Sequence, residues 1–117
     1  MSNERYTNLE YLNEMTGGDP DFTREMIEMF LLQIEEFRSE LYDFYNTQSW
    51  KELGELAHKA KSSMLTFGME ELGWKLKELQ LKTQKLEDID NYKSYLDLYD
   101  AHCNKAIIEL QNDLKNL

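Results

Sequence analysis

Cysteine, proline and glycine are scarce in this chain of 117 residues. The single cysteine, Cys103, excludes an intramolecular disulfide and a zinc site built from several cysteines. The single proline, Pro20, and only five glycines leave few signals that interrupt regular structure, so long periodic segments dominate. Cys103 occupies an apolar position of a helical pattern, and we expect it to be a buried thiol.

The chain also has no excess of positive charge and no long apolar run. The chain has 13 Lys and Arg residues against 23 Asp and Glu residues, and its formal net charge is −10. Such a chain has no general attraction to nucleic acid or to an anionic membrane, so we expect its partners to be proteins. No apolar run approaches a membrane span, and MSNERYTNLEYL lacks the features of a signal peptide. We therefore expect a cytoplasmic protein.

The composition predicts one folded domain over residues 1–117. Apolar residues make up 41% of the chain and can fill one core, while charged residues make up 31% and can cover it. No strand pattern competes with the helical periodicity. The turn TGGD lacks the lysine and the second spaced glycine of a phosphate-binding loop, so it predicts a connection between helices.

The first two predicted helices have clear start signals. A short helix is predicted to begin where Thr7 and Glu10 have capping-box spacing, and to end at TGG. A second is predicted to begin with Asp19 as its cap and Pro20 as its first residue, and to run to about Asn46. Their predicted core positions recur at three- and four-residue steps, namely Leu9, Leu12, Met15, Phe22, Met26, Met29, Phe30, Ile34, Phe37, Leu41 and Phe44.

Three further helices complete the predicted fold. The third opens at a second capping box, Ser49 and Glu52, and stops at Gly68. The fourth covers about residues 69–87, and the fifth runs from Tyr92 nearly to the end of the chain. Four long helices with short connections predict an all-α fold, an up-down-up-down antiparallel four-helix bundle with a short additional N-terminal helix.

His58 is predicted to face away from the core of the third helix. It lies roughly 130° from the centre of that helix's apolar side, and Lys61, about 60° from it, can bring an ammonium beside the imidazole. Gly54 and Ser62, one turn before and after, add almost no bulk. A glycine inside a helix costs about 1 kcal/mol, so Gly54 suggests that something needs room there.

Geometry alone leaves two interpretations of His58 open. The imidazole could act as a nucleophile whose transferred anionic group, such as a phosphoryl group, is stabilised by Lys61. It could equally be a solvated surface histidine beside a surface lysine.

A metal site is not expected. Glu55 and His58 form the Glu-x-x-His spacing of di-iron bundles, but such a site needs a second copy that projects inward. The other histidine, His102, has Tyr99 at that spacing. We expect His102 to lie at the surface or at the boundary of the core.

The residues around His58 resemble those of histidine-containing phosphotransfer (HPt) domains. That family places an alanine before the phosphoacceptor histidine, a lysine three residues after it, then small residues, and a glycine ten residues after it. The matching residues in this chain are Ala57, His58, Lys61, Ser62, Ser63 and Gly68. The similarity extends to LEYLNEMTGGDPDFTREMIEMFLLQ and SWKELGELAHKAKSS, and so covers most of the chain.

The resemblance assigns roles to individual residues. His58 is expected to be the phosphoacceptor, Lys61 to stabilise the phosphoryl group, and Gly68 to form a structural turn. Gln80 has the spacing at which the family's fourth helix offers an amide or acidic side chain to the histidine. Ser62 stands where the family commonly has glycine. The outward residues Gly54, Ser62 and Leu65 are expected to form the middle of a docking surface.

The resemblance also implies a place in signalling. The protein is expected to accept a phosphoryl group from an aspartate of one receiver domain and to pass it to an aspartate of another. It is then a phosphoryl carrier without an ATP site or autokinase activity. Response-regulator receivers and a hybrid sensor histidine kinase are the expected partners. No intrinsic cofactor is expected, Mg²⁺ comes from the receiver, and the carrier is expected to be monomeric. The alternative is a noncatalytic helical adaptor that docks a receiver or kinase without being phosphorylated.

Overall fold

A computed structural model describes residues 5–117, and most of these residues lie in five α-helices. The helices are α1 (Glu10–Thr16), α2 (Pro20–Asn46), α3 (Trp50–Thr66), α4 (Glu70–Lys85) and α5 (Tyr92–Lys115), and a 3₁₀ turn over Ile89–Asn91 precedes α5. No strand occurs in the described part of the chain. The predicted all-α class is therefore confirmed. Residues 1–4 of the predicted domain lie outside the described residues.

The start of α2 has the predicted cap. Asp19 accepts a hydrogen bond from the backbone N–H of Asp21 at 3.0 Å, and Pro20 is the first helical residue, where its missing N–H costs nothing. The helix ends at Asn46, as predicted. At the start of α3, Ser49 stands in the cap position, but the predicted capping box does not form. The Ser49 hydroxyl pairs with that of Thr47 at 2.8 Å instead.

The capping box predicted for α1 is also wrong. The Thr7 hydroxyl donates to Glu109 of α5 at 2.6 Å, and the carboxylate of Glu109 also accepts the backbone N–H groups of Tyr6 and Thr7. Asn8 takes the capping role, because its side-chain oxygen accepts the N–H of Glu10 at 2.9 Å. The segment before α1 is therefore fixed by α5 rather than by α1.

The core lies among α2, α3, α4 and α5, and α3 and α4 pack most extensively against each other. The Phe30 and Phe67 rings stack at 4.0 Å, and the buried Tyr99 hydroxyl donates to the carbonyl of Ile34 at 2.8 Å. Cys103 is fully buried, as predicted, and this burial raises the pKa of its thiol to about 12. No helix of residues 5–117 has the length and apolar character needed to cross a membrane.

Some predicted core positions are exposed. Phe22 is 43% exposed, Met29 is 57% exposed, and Met15 is also exposed. The buried stripe of α2 is narrower than predicted, and Phe22 and Met29 lie roughly 110° from its centre. His102, by contrast, is more buried than predicted. It is buried rather than at the surface or the core boundary, because the Tyr6 ring meets it edge-on with the ring centroids 4.9 Å apart.

Candidate functional site

His58 projects outward from the middle of α3. The side chain is exposed, whereas Ala57, Ala60 and Met64 on the opposite side of the helix are fully buried. The outward orientation predicted from the helical periodicity is therefore confirmed. An exposed imidazole can approach a group carried on another protein, which a core histidine cannot do.

Gln80 of α4 holds the imidazole from the side. The Nδ1 atom of His58 lies 3.1 Å from Oε1 of Gln80. An amide oxygen only accepts hydrogen bonds, so this pairing places the ring proton on Nδ1 and leaves the lone pair of the neutral ring on Nε2. The structure thus brings Gln80 to the histidine, at the place that the sequence predicted.

Two glycines let α3 and α4 approach closely on either side of this pair. A Cβ atom on Gly54 would overlap Oγ1 of Thr83, and one on Gly73 would lie 2.7 Å from Cδ2 of Leu65. The prediction that Gly54 lies outward beside His58 is wrong, because this residue is buried between the helices. The absence of a side chain at Gly54 does provide space, as expected, but that space is occupied by α4.

Lys61 has an aromatic neighbour. Its ammonium lies over the ring of Trp74 in α4, 5.9 Å from the ring centroid. The lysine is half-buried and forms no ion pair with any residue between 5 and 117. Nothing in the spacing of the sequence pointed to Trp74.

Of the other predicted site residues, two lie on α3 after His58 and one lies in the turn that follows α3. Ser62 is exposed one turn after His58, and Leu65 is half-buried against Gly73. Gly68 lies at the end of α3, in the turn where it was predicted. Its φ of +75° is in the left-handed region, and a Cβ atom there would lie 2.6 Å from backbone atoms of Asn8.

A groove of about 460 Å³ opens beside the His58 and Gln80 pair. It is bounded on the α3 side by Lys51, Gly54 and Glu55, and its α4 side ends at Leu86. Lys51 and Glu55 lie 3.9 Å apart as an exposed ion pair, which leaves the rim of the groove neither strongly acidic nor strongly basic. Glu55 therefore has a lysine as its partner, and no group of three or more potential metal ligands occurs in the described part of the chain.

The helices that carry the site differ in charge from the whole chain. α3 and α4 together contain seven lysines and five glutamates, whereas the complete chain has a net charge of −10. Lys59 and Lys77, near His58 and Gln80 in the chain, form no ion pair within residues 5–117. The two helices that carry His58 and Gln80 are therefore more basic than the rest of the chain.

Comparison with protein-family models identifies a similarity to a known domain. The family model of the Hpt domain matches residues 25–117, which include His58, Gln80 and all of α3, α4 and α5. No curated protein and no solved structure matches the chain.

Proposed function

Because the chain belongs to the Hpt domain family, whose members carry out histidine phosphotransfer in two-component signalling, we propose that His58 is the phosphoacceptor of a phosphorelay. It takes a phosphoryl group from an aspartate of one receiver domain and passes it to an aspartate of another. The observation that carries this assignment is the exposed imidazole whose Nδ1 is held by Gln80.

The transfer is a substitution at phosphorus. The Nε2 lone pair of His58 forms the new N–P bond, while the P–O bond to the receiver aspartate breaks and its electron pair leaves with the carboxylate. The proton stays on Nδ1 and donates a hydrogen bond to Oε1 of Gln80. Because the transition state of phosphoryl transfer is loose, positioning and neutralisation of charge supply most of the catalysis. Lys61 provides a positive charge from this chain, and the receiver provides Mg²⁺.

The protein is a carrier rather than a kinase in this proposal. It has no ATP site of its own, and the phosphoryl group reaches it from a receiver, including the receiver of a hybrid sensor histidine kinase. It acts as a monomer in the cytoplasm and needs no intrinsic cofactor. The four long helices form an up-down-up-down antiparallel bundle over a single domain, which the three-residue connections after α2 and α3 support.

The receiver docks on the face around His58. Ser62 is exposed beside the imidazole, and Leu65 offers a partly accessible apolar side chain on the same side of α3. Gly54 contributes only by bringing α4 close. The concentration of lysines in α3 and α4 favours a receiver whose docking surface is acidic, since complementary charge speeds the encounter of two proteins.

The test is to mix the protein with a receiver that carries a radioactive aspartyl phosphate. We expect acid-labile label on the parent protein and none on His58→Gln. The matched control is His102→Gln, with folding checked by circular dichroism, because it removes the other histidine and should keep the label. Label that persists in His58→Gln would overturn the assignment. A parent protein that binds the receiver and takes no label would instead be a noncatalytic adaptor.

A further inference from the structure

The large aromatic side chain of Trp74 has no part in the core. It is 57% exposed on α4, and the Lys61 ammonium lies 5.9 Å from its ring centroid. A cation within about 6 Å of an indole face is attracted by the negative charge of the ring surface. Within residues 5–117 the lysine has no carboxylate partner, so the ring is the group that holds its charge.

The backbone brings these two side chains together. Gly73, directly before Trp74, lies against Leu65 of α3, and a Cβ atom at Gly73 would be 3.7 Å from the carbonyl oxygen of Lys61. The two helices therefore also pack closely beside Lys61 and Trp74. The contact between Lys61 and Trp74 is a consequence of this helix packing.

We propose that Trp74 holds the Lys61 ammonium while His58 is unphosphorylated, and that the ammonium moves to the phosphoryl oxygens once His58 is phosphorylated. This inference rests on the proposed function, which gives Lys61 its second partner. The phosphoryl group is a far stronger attractor than an indole face, because it carries close to two negative charges. Trp74 is thus a positioning residue that acts through Lys61.

The exchange of partners affects the phosphorylation equilibrium. A contact made only in the unphosphorylated protein stabilises that form, so its removal favours the phosphohistidine. Loss of a cation–π contact at an exposed site should change the equilibrium constant by about two- to fivefold. Trp74→Leu is therefore expected to hold more phosphate than the parent at the same receiver concentration.

The equilibrium distribution of label between the phosphorylated receiver and this protein measures the effect. Trp74→Leu should shift it toward His58 by about two- to fivefold, and Trp74→Phe, which keeps an aromatic face, should shift it less. Leu81→Ala removes another exposed apolar side chain of α4 and should leave it unchanged. In a Lys61→Met background the substitution Trp74→Leu should have no effect, because the cation is already absent.

Fluorescence gives a second readout that a purely structural role of Trp74 would not change. Emission from Trp74 should change when the parent is phosphorylated, and this change should be absent from Lys61→Met. Trp50, packed against Tyr45 and Tyr92, provides a constant background. An unchanged equilibrium in Trp74→Leu, or a shift that persists without Lys61, would overturn the inference and leave the proposed function intact. A parent protein that takes no label would overturn both.

Discussion

Gly54 in α3 and Thr83 in α4 meet so closely that no side chain fits between the two helices at this point. A Cβ atom on Gly54 would overlap Oγ1 of Thr83 and lie 3.1 Å from its Cβ atom. The Thr83 hydroxyl donates to the carbonyl of Gln80 at 2.8 Å. This contact therefore fixes the part of α4 that presents Gln80 to His58.

Gly54→Ala should destabilise the protein. Alanine favours a helix over glycine by about 1 kcal/mol, but overpacking against Thr83 costs about 1 to 3 kcal/mol. We expect a net loss of about 1 kcal/mol in the free energy of unfolding, measured by urea denaturation. The double variant Gly54→Ala/Thr83→Ala should recover most of it relative to Thr83→Ala alone. An equal loss in both backgrounds would contradict the role of this contact.

Gly68→Ala should cost more than Gly17→Ala. Both glycines have positive φ, at +75° and +64°, so both substitutions pay about 1 to 2 kcal/mol for the left-handed conformation. Only Gly68 also lies against backbone atoms of Asn8, while nothing lies within 4 Å of a Cβ atom on Gly17. Urea denaturation should therefore rank Gly68→Ala as clearly the less stable variant. Equal losses would mean that the Asn8 contact contributes nothing.

Gln80→Leu should slow phosphorylation of His58. Without the amide oxygen, Nδ1 loses its partner and the ring is no longer held with Nε2 outward. Misplacement of a reacting group costs roughly ten- to a hundredfold in rate. The rate of label uptake measures this, and Gln84→Leu, an exposed neighbour one turn further along α4, is the control. Gln80→Glu should retain most of the rate, since a carboxylate also accepts from Nδ1; a loss as large as that of Gln80→Leu would argue against this role.

Charge reversal near His58 should slow docking. Lys59 and Lys105 are both exposed and without ion pairs in the described residues, but Lys59 follows His58 directly and Lys105 lies on α5. At low salt, Lys59→Glu should raise KM severalfold with little change in kcat, while Lys105→Glu should not. The difference should shrink at high salt, where the interaction is screened. Equal effects of the two reversals would remove the case for docking on α3 and α4.

Alkaline pH should destabilise the fold through ionisation of Cys103 and Tyr42. Burial raises the pKa of Cys103 to about 12, and burial together with the hydrogen bond to Asp100 raises the pKa of Tyr42 to about 12. Both groups ionise at a lower pH in the unfolded chain than in the folded protein. Their contribution to the stability of the fold is therefore complete below their ordinary pKa values and is lost as the pH rises toward about 12. The free energy of unfolding should fall over this range. In the native protein at pH 8, the Cys103 thiol should react with a disulfide reagent only after urea is added.

Local sequence signals predicted the helices well, because they depend on neighbours in the chain. The start of α2 followed from Asp19 and Pro20, and the outward position of His58 followed from the 3.6-residue period. Contacts between distant segments were not predictable in this way. Glu109, 102 residues away, draws Thr7 out of its predicted cap, and Tyr6 covers His102.

In the candidate site, too, the local features were predictable from the sequence and the contacts between helices were not. Helical spacing pointed to His58 and Lys61, and the family resemblance pointed to Gln80. The structure places these three residues on the facing helices α3 and α4. The burial of Gly54 and the position of Lys61 over Trp74 both depend on how closely these two helices approach. That distance is set by side chains on both helices, so the pattern along one helix did not reveal it.

The most direct test of the account is to locate the phosphoryl group by ¹⁵N and ³¹P NMR on protein phosphorylated by a receiver. We predict a single phosphorylated nitrogen, Nε2 of His58, with the proton retained on Nδ1. Phosphorus bonded to any other atom of the chain, or no phosphorylated species at all, would contradict it.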